Sequence, residues 1–252
     1  MENNLLYNDY ELVTTADGSH SIRFAAIDEG YHSTHGAIKE AMHVYVLPNL
    51  AVQATAGSVH VFEMGFGTGL NAYLSYLYAK AVGCRLHYTA VEAYPIPTDL
   101  YTRLNYAELC IAEVQALYPE ADFTAVAADF LRLHTATWGT ETPISDAFTL
   151  CKHHCAIQDM RLPQHSYNCI YYDAFAPQFQ PELWTKDIFD KPRQASSPRA
   201  ILTTYCCKGD VKRALKAAGY TIEKLPGPKG KREMLRAKIE NQPTVKLYKQ
   251  SL

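Results

Sequence analysis

The sequence predicts an α/β fold with a mostly parallel sheet, an antiparallel hairpin at its C-terminal end and a β extension at its N-terminus. Three observations carry this reading. An apolar run at residues 59–64 leads into Gly65-Phe66-Gly67-Thr68-Gly69 and a helix-like segment at 72–82, the order of a strand, a tight turn and a helix. Two further strand-like runs, 86–91 and 168–172, each end in a carboxylate, Glu92 and Asp173. Beyond residue 200 the pattern is strand, helix, strand, basic turn, strand, which places a hairpin at the end of the sheet.

The glycine turn is the centre of the chain. Glycine lets backbone approach a ligand where any side chain would fill the space. The dinucleotide fingerprint is G-x-G-x-x-G, whereas here the spacing is Gly65-x-Gly67-x-Gly69 after an acidic Glu63. An acidic residue beside the loop repels a pyrophosphate and suits the positively charged amino and sulfonium groups of S-adenosylmethionine. Glu92, ending the next strand, is placed to accept hydrogen bonds from both ribose hydroxyls. A glycine-rich turn with only a structural role is the alternative.

Bulk properties bound the rest. A chain of 252 residues with 48% hydrophobic content fits one large α/β domain, here an N-terminal β-rich extension at 1–50 packed on a core at 51–252. The start is polar, with no secretory signal, and no apolar run approaches the ~18 residues that cross a bilayer. Seven cysteines at irregular spacing outline no disulfide framework, so reduced thiols and a cytoplasmic protein are expected. Net charge is −2, but residues 208–238 hold ten Lys/Arg against three Asp/Glu, or +7, leaving 14 basic and 23 acidic residues elsewhere, or −9. Such a segment is either a phosphate footprint or a solvated helix face with a basic loop.

In chain order, residues 7–27 alternate around Asp17-Gly18 and read as a hairpin. Residues 30–36, with His32 and His35, read as a loop, and 37–47 lead to Pro48-Asn49 and a short helical stretch. After Pro95 and Pro97 a helix capped by Thr98 or Asp99 is expected over 100–118, stopped by Pro119. Residues 147–157 read as a strand leading to Asp159, a carboxylate for the adenine amino group or a turn cap. Within it Cys151, His153 and Cys155 share a face, but lack the turns and fourth ligand of a zinc site, so a strand with partly exposed side chains and no metal is expected. Asp173 either faces the methyl of a cofactor held by the glycine loop or merely starts a turn. Residues 181–190 read as a short amphipathic helix with proline in its first turn.

Taken together, Phe66-Gly67-Thr68-Gly69-Leu70-Asn71, Glu92-Ala93-Tyr94-Pro95, Asp173-Ala174-Phe175-Ala176-Pro177 with Trp184-Thr185, Ala218-Gly219-Tyr220 and Gly230-Lys231-Arg232-Glu233-Met234 resemble one family. It is the methyltransferase that completes 5-methylaminomethyl-uridine at the tRNA wobble position, often the N-terminal half of a bifunctional enzyme. The resemblance spans roughly residues 20–236 and implies a Rossmann-like S-adenosylmethionine-dependent methyltransferase fold, S-adenosylmethionine as donor and the aminomethyl group of a modified uridine, with or without 2-thio, as acceptor. It implies that Gly65, Gly67 and Gly69 line the methionine part, that Glu92 holds the ribose and Asp159 the adenine, and that Asp173 lies beside the transferring methyl. Phe175, or Tyr31 and Tyr94, would stack on the splayed base. Lys229, Lys231 and Arg232, with Lys208, Lys212 and Arg213, would grip phosphates of the anticodon stem-loop. No membrane or DNA partner is expected.

Three departures stand out: Ala174 where the family has Gly, Tyr205-Cys206-Cys207 where small and hydroxyl residues are usual, and Ser197-Pro198-Arg199-Ala200 without a usual Gly pair. The sequence ends at Leu252, so no fused flavin-dependent oxidase is expected in it. The alternatives are a methyltransferase for a small-molecule or protein amine, a nicotinamide-dependent oxidoreductase, or a non-catalytic binding module.

Overall fold

A computed structural model describes residues 10–24 and 29–239. In chain order its elements are strands β1 (Tyr10–Thr14), β2 (His20–Phe24) and β3 (Glu29–Gly30), helix α1 (Ala37–Ala41), a wide helical stretch (Met42–Leu50) and α2 (Ala51–Gln53). Then come β4 (Ser58–Met64), α3 (Leu70–Val82), β5 (Arg85–Glu92), α4 (Thr98–Tyr101), α5 (Tyr106–Leu117), α6 (Asp129–Thr135), β6 (Thr142–Ser145), β7 (Phe148–His154) and β8 (Tyr167–Tyr172). The last are α7 (Lys186–Ala195), β9 (Ser196–Thr204), α8 (Gly209–Ala217), β10 (Thr221–Pro226) and β11 (Glu233–Lys238).

The main sheet runs β10-β11-β9-β8-β4-β5-β7-β6. Its centre, β9-β8-β4-β5-β7, is parallel. The C-terminal hairpin inserts β11 antiparallel between β9 and β10, as expected. On the other edge β6 pairs antiparallel with β7, a strand that the sequence reading did not anticipate. β4 lies in the middle and is covered on both faces. Val59 and Val61 pack into the core under α3 and α5, while Phe62 and Met64 pack into the core under α7 and α8. Burial on both faces explains why this strand reads as a continuous apolar run.

The expected N-terminal hairpin is present as β1–β2, joined by β3 in a small separate sheet; the outer parts of the predicted hairpin, 7–9 and 25–27, lie outside the described residues. Residues 37–50 are helical rather than a continuation of the β extension. The Met42–Leu50 stretch winds with i→i+5 hydrogen bonding and carries Pro48 within it. Its buried Asn49 donates through Nδ2 to the carbonyls of Ile170 and Ile201, both at 3.0 Å, and so ties this helix to β8 and β9.

Two predicted helices are each broken by tertiary hydrogen bonds. The 100–118 helix divides into α4 and α5 at Asn105. There the side chain accepts from the His20 backbone N–H (2.7 Å) and donates to Gly18 O (2.9 Å), which fastens the N-terminal hairpin. Asp99 caps nothing and accepts from Tyr10 Oη instead. The 181–190 helix divides into a single tight turn, Pro181–Trp184, and α7. Trp184 Nε1 donates to Phe175 O (2.8 Å) and Tyr172 Oη to Leu183 O. At the third departure Arg199 sits at φ 68, a left-handed conformation that costs a non-glycine residue ~1–2 kcal/mol. Gln53 Nε2 supports it by donating to Arg199 O at 3.1 Å.

Candidate functional site at the carboxyl edge of the sheet

β4, β5 and β8 are parallel, so their carboxyl ends lie side by side, where open α/β sheets bind ligands. Two backbone bonds continue the ladder past the strands: Gly65 N–H to Val91 O and Asp173 N–H to Met64 O, both 3.0 Å. A cavity of about 890 Å³ opens at this edge.

Gly65, Gly67 and Gly69 all have positive φ, at 89°, 50° and 72°. What crowds them is the protein itself. A Cβ at Gly65 would lie 2.7 Å from Asp173 O, one at Gly67 would lie 2.9 Å from the Tyr31 ring, and one at Gly69 would lie 2.9 Å from His134 Nε2. Gly65 and Gly67 line the cavity. Gly69 does not, and it serves as the left-handed N-cap of α3.

The three predicted acids are placed differently from one another. Glu92 lines the cavity and accepts from the backbone N–H groups of Gly67 (2.9 Å) and Tyr94 (2.8 Å), which draws the glycine loop onto the end of β5. Burial raises its pKa, and the Tyr94, Gly67 and Ala93 N–H groups pull it back. Each carboxylate oxygen keeps a further lone pair for a ligand. Glu63 is 0% exposed and outside the cavity lining, because the strand alternation turns it under α3. Burial, and then the charge of Asp173, push its pKa far upward, and neither of its oxygens has a hydrogen-bond partner among the described residues. Asn71 and Tyr88 lie near it without completing a bond. Glu63 is therefore a core carboxyl whose charged form burial disfavours, and it does not line the cavity as Glu92 and Asp173 do. Asp159 stands in an exposed turn five residues beyond the last residue of β7 and outside the lining; Ile157 and Gln158 line the cavity there.

Asp173 is the most constrained group of the edge. Tyr45 Oη donates to Oδ1 at 2.6 Å, and Asn71 Nδ2 donates to Oδ2 at 2.8 Å. Burial raises its pKa to about 6, against the lowering effect of these two donors. Tyr45 comes from the wide helix 128 residues away; the sequence reading missed it, and nothing local to 37–47 marks it. Phe175 lines the cavity and packs on Tyr31 and Phe24, with ring centroids 5.1 and 6.0 Å apart.

Behind the glycine loop lies a second group that the sequence reading missed. Lys152 of β7 is buried and donates to His134 O at 2.7 Å, with Nζ 4.5 Å from the Trp138 ring centroid and 5.0 Å from that of Phe66. Burial lowers its pKa to about 8. Burial, and then Lys152, lower His134 to about 3, so its neutral ring faces Thr68 O through Nε2 (3.1 Å) and stacks on Tyr101 at 4.2 Å. His32, held near 4 by burial, places Nε2 3.4 Å from Thr68 Oγ1. The expectation that 151–155 is a strand with partly exposed side chains therefore fails at Lys152. No group of three or more His, Cys, Asp or Glu among the described residues is placed to hold a metal.

The basic segment is half neutralised by its own neighbours. Of its ten cations, Arg213, Lys224, Lys231, Arg236 and Lys238 form ion pairs with Asp210, Glu233, Glu40, Glu223 and Glu223. Lys229 and Arg232 are exposed at the β10–β11 turn, while Lys231 turns into the cavity wall. No helix among the described residues is long and apolar enough to cross a membrane.

A glycine turn joining strand to helix, with a carboxylate closing the next strand, defines a nucleotide-cofactor site on a mostly parallel sheet. The room at the edge and the acceptor oxygens of Glu92 fit S-adenosylmethionine. The family described as S-adenosyl-L-methionine-dependent methyltransferase matches residues 109–240, just over half of the sequence, and the chain belongs to it. Among similar proteins, the tRNA 5-methylaminomethyl-2-thiouridine biosynthesis bifunctional protein MnmC of Magnetococcus marinus is 34% identical over 216 residues, covering 84% of this chain and 31% of that protein. Its counterpart in Aromatoleum aromaticum is 32% identical over 228 residues, covering 85% and 33%. The chain thus spans about a third of the length of these curated relatives. The crystal structure of MNMC2 from Aquifex aeolicus has the same fold, with a TM-score of 0.70 at 19% identity, covering 92% of this chain and 71% of that one. The chain is accordingly an S-adenosylmethionine-dependent enzyme, and the nicotinamide and non-catalytic alternatives are set aside.

Proposed function

We propose that this enzyme methylates the amino nitrogen of the 5-aminomethyl group on the wobble uridine of tRNA. The observation that carries this reading is Asp173, a carboxylate oriented by two donors beside the glycine loop. The similar curated proteins, named for the biosynthesis of the methylated nucleoside, support it.

Gly65 and Gly67, with Glu92, would hold the donor, Glu92 through its remaining acceptor sites. Bound S-adenosylmethionine supplies an electrophilic methyl on a sulfonium. Asp173 does the rest of the polar work. A protonated amine has no lone pair, so Asp173 accepts a hydrogen bond from the neutral amine and takes the proton that the nitrogen loses on methylation. Tyr45 and Asn71 keep both carboxylate oxygens in place for this. Phe175 and Tyr31 offer ring faces for a base taken out of its stack.

The test is transfer of labelled methyl from S-adenosylmethionine to tRNA bearing 5-aminomethyl-uridine, with the nucleosides resolved by mass. A gain of one methyl on the wobble uridine is expected. Transfer to small amines without RNA would favour the second reading, for which the internal pairing of half the basic segment speaks.

Lys229 and Arg232 are the cations at the turn placed for phosphate. Replacing both by Gln is expected to lower the slope of log affinity for tRNA against log salt by about 1.5–2 units, while cofactor affinity measured by calorimetry stays unchanged. An unaltered slope would remove this turn from the RNA surface.

A further inference from the structure

Among the described residues lining the cavity, which include Glu29, Glu40, Glu92, Asp173 and Glu182, Lys231 is the one Lys or Arg. Its position is set from three sides. Nζ lies 2.6 Å from Glu40 Oε1 and 4.3 Å from the centroid of the Tyr205 ring. The neighbouring Gly230, at φ 87, leaves no room for a Cβ against the His35 ring at 2.8 Å. At the start of the same turn His43 Nε2 meets Pro226 O at 2.8 Å. The β10–β11 turn is thereby strapped to the 31–43 segment, and Lys231 is directed inward.

What Lys231 holds matters more than its charge. The Tyr205 ring under it donates its hydroxyl to Ala174 O at 2.8 Å. Ala174 is bonded directly to Asp173 on one side and Phe175 on the other. The acceptor is the main-chain carbonyl of residue 174, so this contact depends on the Tyr205 departure and not on the Ala174 side chain. A continuous chain of contacts runs Glu40–Lys231–Tyr205–Ala174 and ends on the segment that carries the proton acceptor.

We propose that Lys231 is a positioning residue for the transfer step: through the ring of Tyr205 and its bond to the Ala174 carbonyl, it fixes the 173–175 segment at the acceptor side of the cavity, and it does not contact phosphate. This rests on the reading of the cavity as the site of amine methylation. Cation–π contacts strengthen when desolvated, and small misplacements of a reacting group are costly.

The two roles of Lys231 separate in kinetics. As a positioning residue, Lys231→Met lowers kcat about tenfold, with acceptor KM, donor affinity and the salt slope of tRNA binding unchanged. Tyr205→Phe, which deletes only the hydroxyl, lowers kcat similarly. The double variant is no worse than Lys231→Met alone, because both act on one contact. Lys231→Arg, which keeps the cation, recovers most of the rate. As a phosphate contact, Lys231→Met would instead raise KM, lower the salt slope by about one unit and leave kcat alone; that result, or a Tyr205→Phe variant with the wild-type kcat, overturns the proposal. If the wild-type enzyme fails to methylate tRNA, the functional reading falls and the proposal is read by backbone hydrogen exchange. Residues 174–180 should exchange faster in both Lys231→Met and Tyr205→Phe than in wild type, and unchanged exchange overturns it.

Discussion

Replacing Asp173 by Asn is expected to lower kcat by about 10²–10³, the range for loss of a positioned proton acceptor. Affinity for S-adenosylmethionine should stay within about twofold, since that change leaves uniform binding in place. The substitution conserves shape. Tyr45 Oη can still donate to the amide oxygen, but the proton released by the amine has no carboxylate to receive it. The wild-type profile carries a second signature. The Asp173 pKa is raised by burial to about 6. Above that value the side chain is an anion and can accept a proton; below it the carboxyl is neutral and cannot. The acid limb of kcat should therefore fall about tenfold per pH unit below pH ~6, and the limb should be missing from the Asn variant. Transfer at the wild-type rate by the Asn variant, with donor bound, would remove Asp173 from the chemistry.

Gly65→Ala is expected to be the most damaging single methyl added to the glycine turn at 65–69. At φ 89 an L residue is strained, and the new Cβ would lie 2.7 Å from Asp173 O, a backbone atom that cannot rotate away. Either the glycine loop or the Asp173 segment must move. A loss of ~2–4 kcal/mol is in the range for overpacking combined with backbone strain, or a Tm lower by roughly 5–12 °C. Donor affinity should drop at least about tenfold, because the loop that moves is the one proposed to hold the donor. Gly83→Ala is the control. Gly83, at φ 68, ends α3 and has open space around it, so it carries only the left-handed backbone cost of ~1–2 kcal/mol. Gly67→Ala should fall between them, since the atom it meets belongs to the Tyr31 side chain. Equal losses in the Gly65 and Gly83 variants, with donor affinity intact, would show that the close approach of β4 and β8 ends is not required.

Both predictions rest on residues that stand out in the sequence, and this is no accident of the motif. Glycines at alternate positions after an apolar run, and acids directly after two others, are local patterns. The backbone needs positive φ at a strand-to-helix turn, and carboxylates at strand ends need no distant partner to be recognised. Local pattern also revealed the C-terminal hairpin, because Pro226, Gly227 and Gly230 break the chain between two alternating runs.

Residues whose role depends on distant neighbours were not legible. Asn105 reads as one more polar position on a long helix, yet its amide fastens a hairpin more than 80 residues earlier. Glu63 looks like a surface charge beside a glycine loop, yet strand alternation sends it inward, where burial disfavours its charge. Lys152 sits between Cys151 and His153 and reads as partly exposed, but its stem and ammonium fill a space walled by Phe66 and Trp138.

The sequence by itself determined the order of the main strands and helices, the glycine turn, and Glu92 and Asp173 as strand-end acids, because each depends on backbone conformation and burial period within a few residues. Only the tertiary structure decided what surrounds those acids. Tyr45 and Asn71 are brought to Asp173, Glu63 lies outside the cavity lining, and the Lys231 ammonium sits over the Tyr205 ring. The physical reason is common to all of them: a side chain's charge state and partners are set by desolvation and by groups far away in sequence, and these exist only once the sheet has assembled.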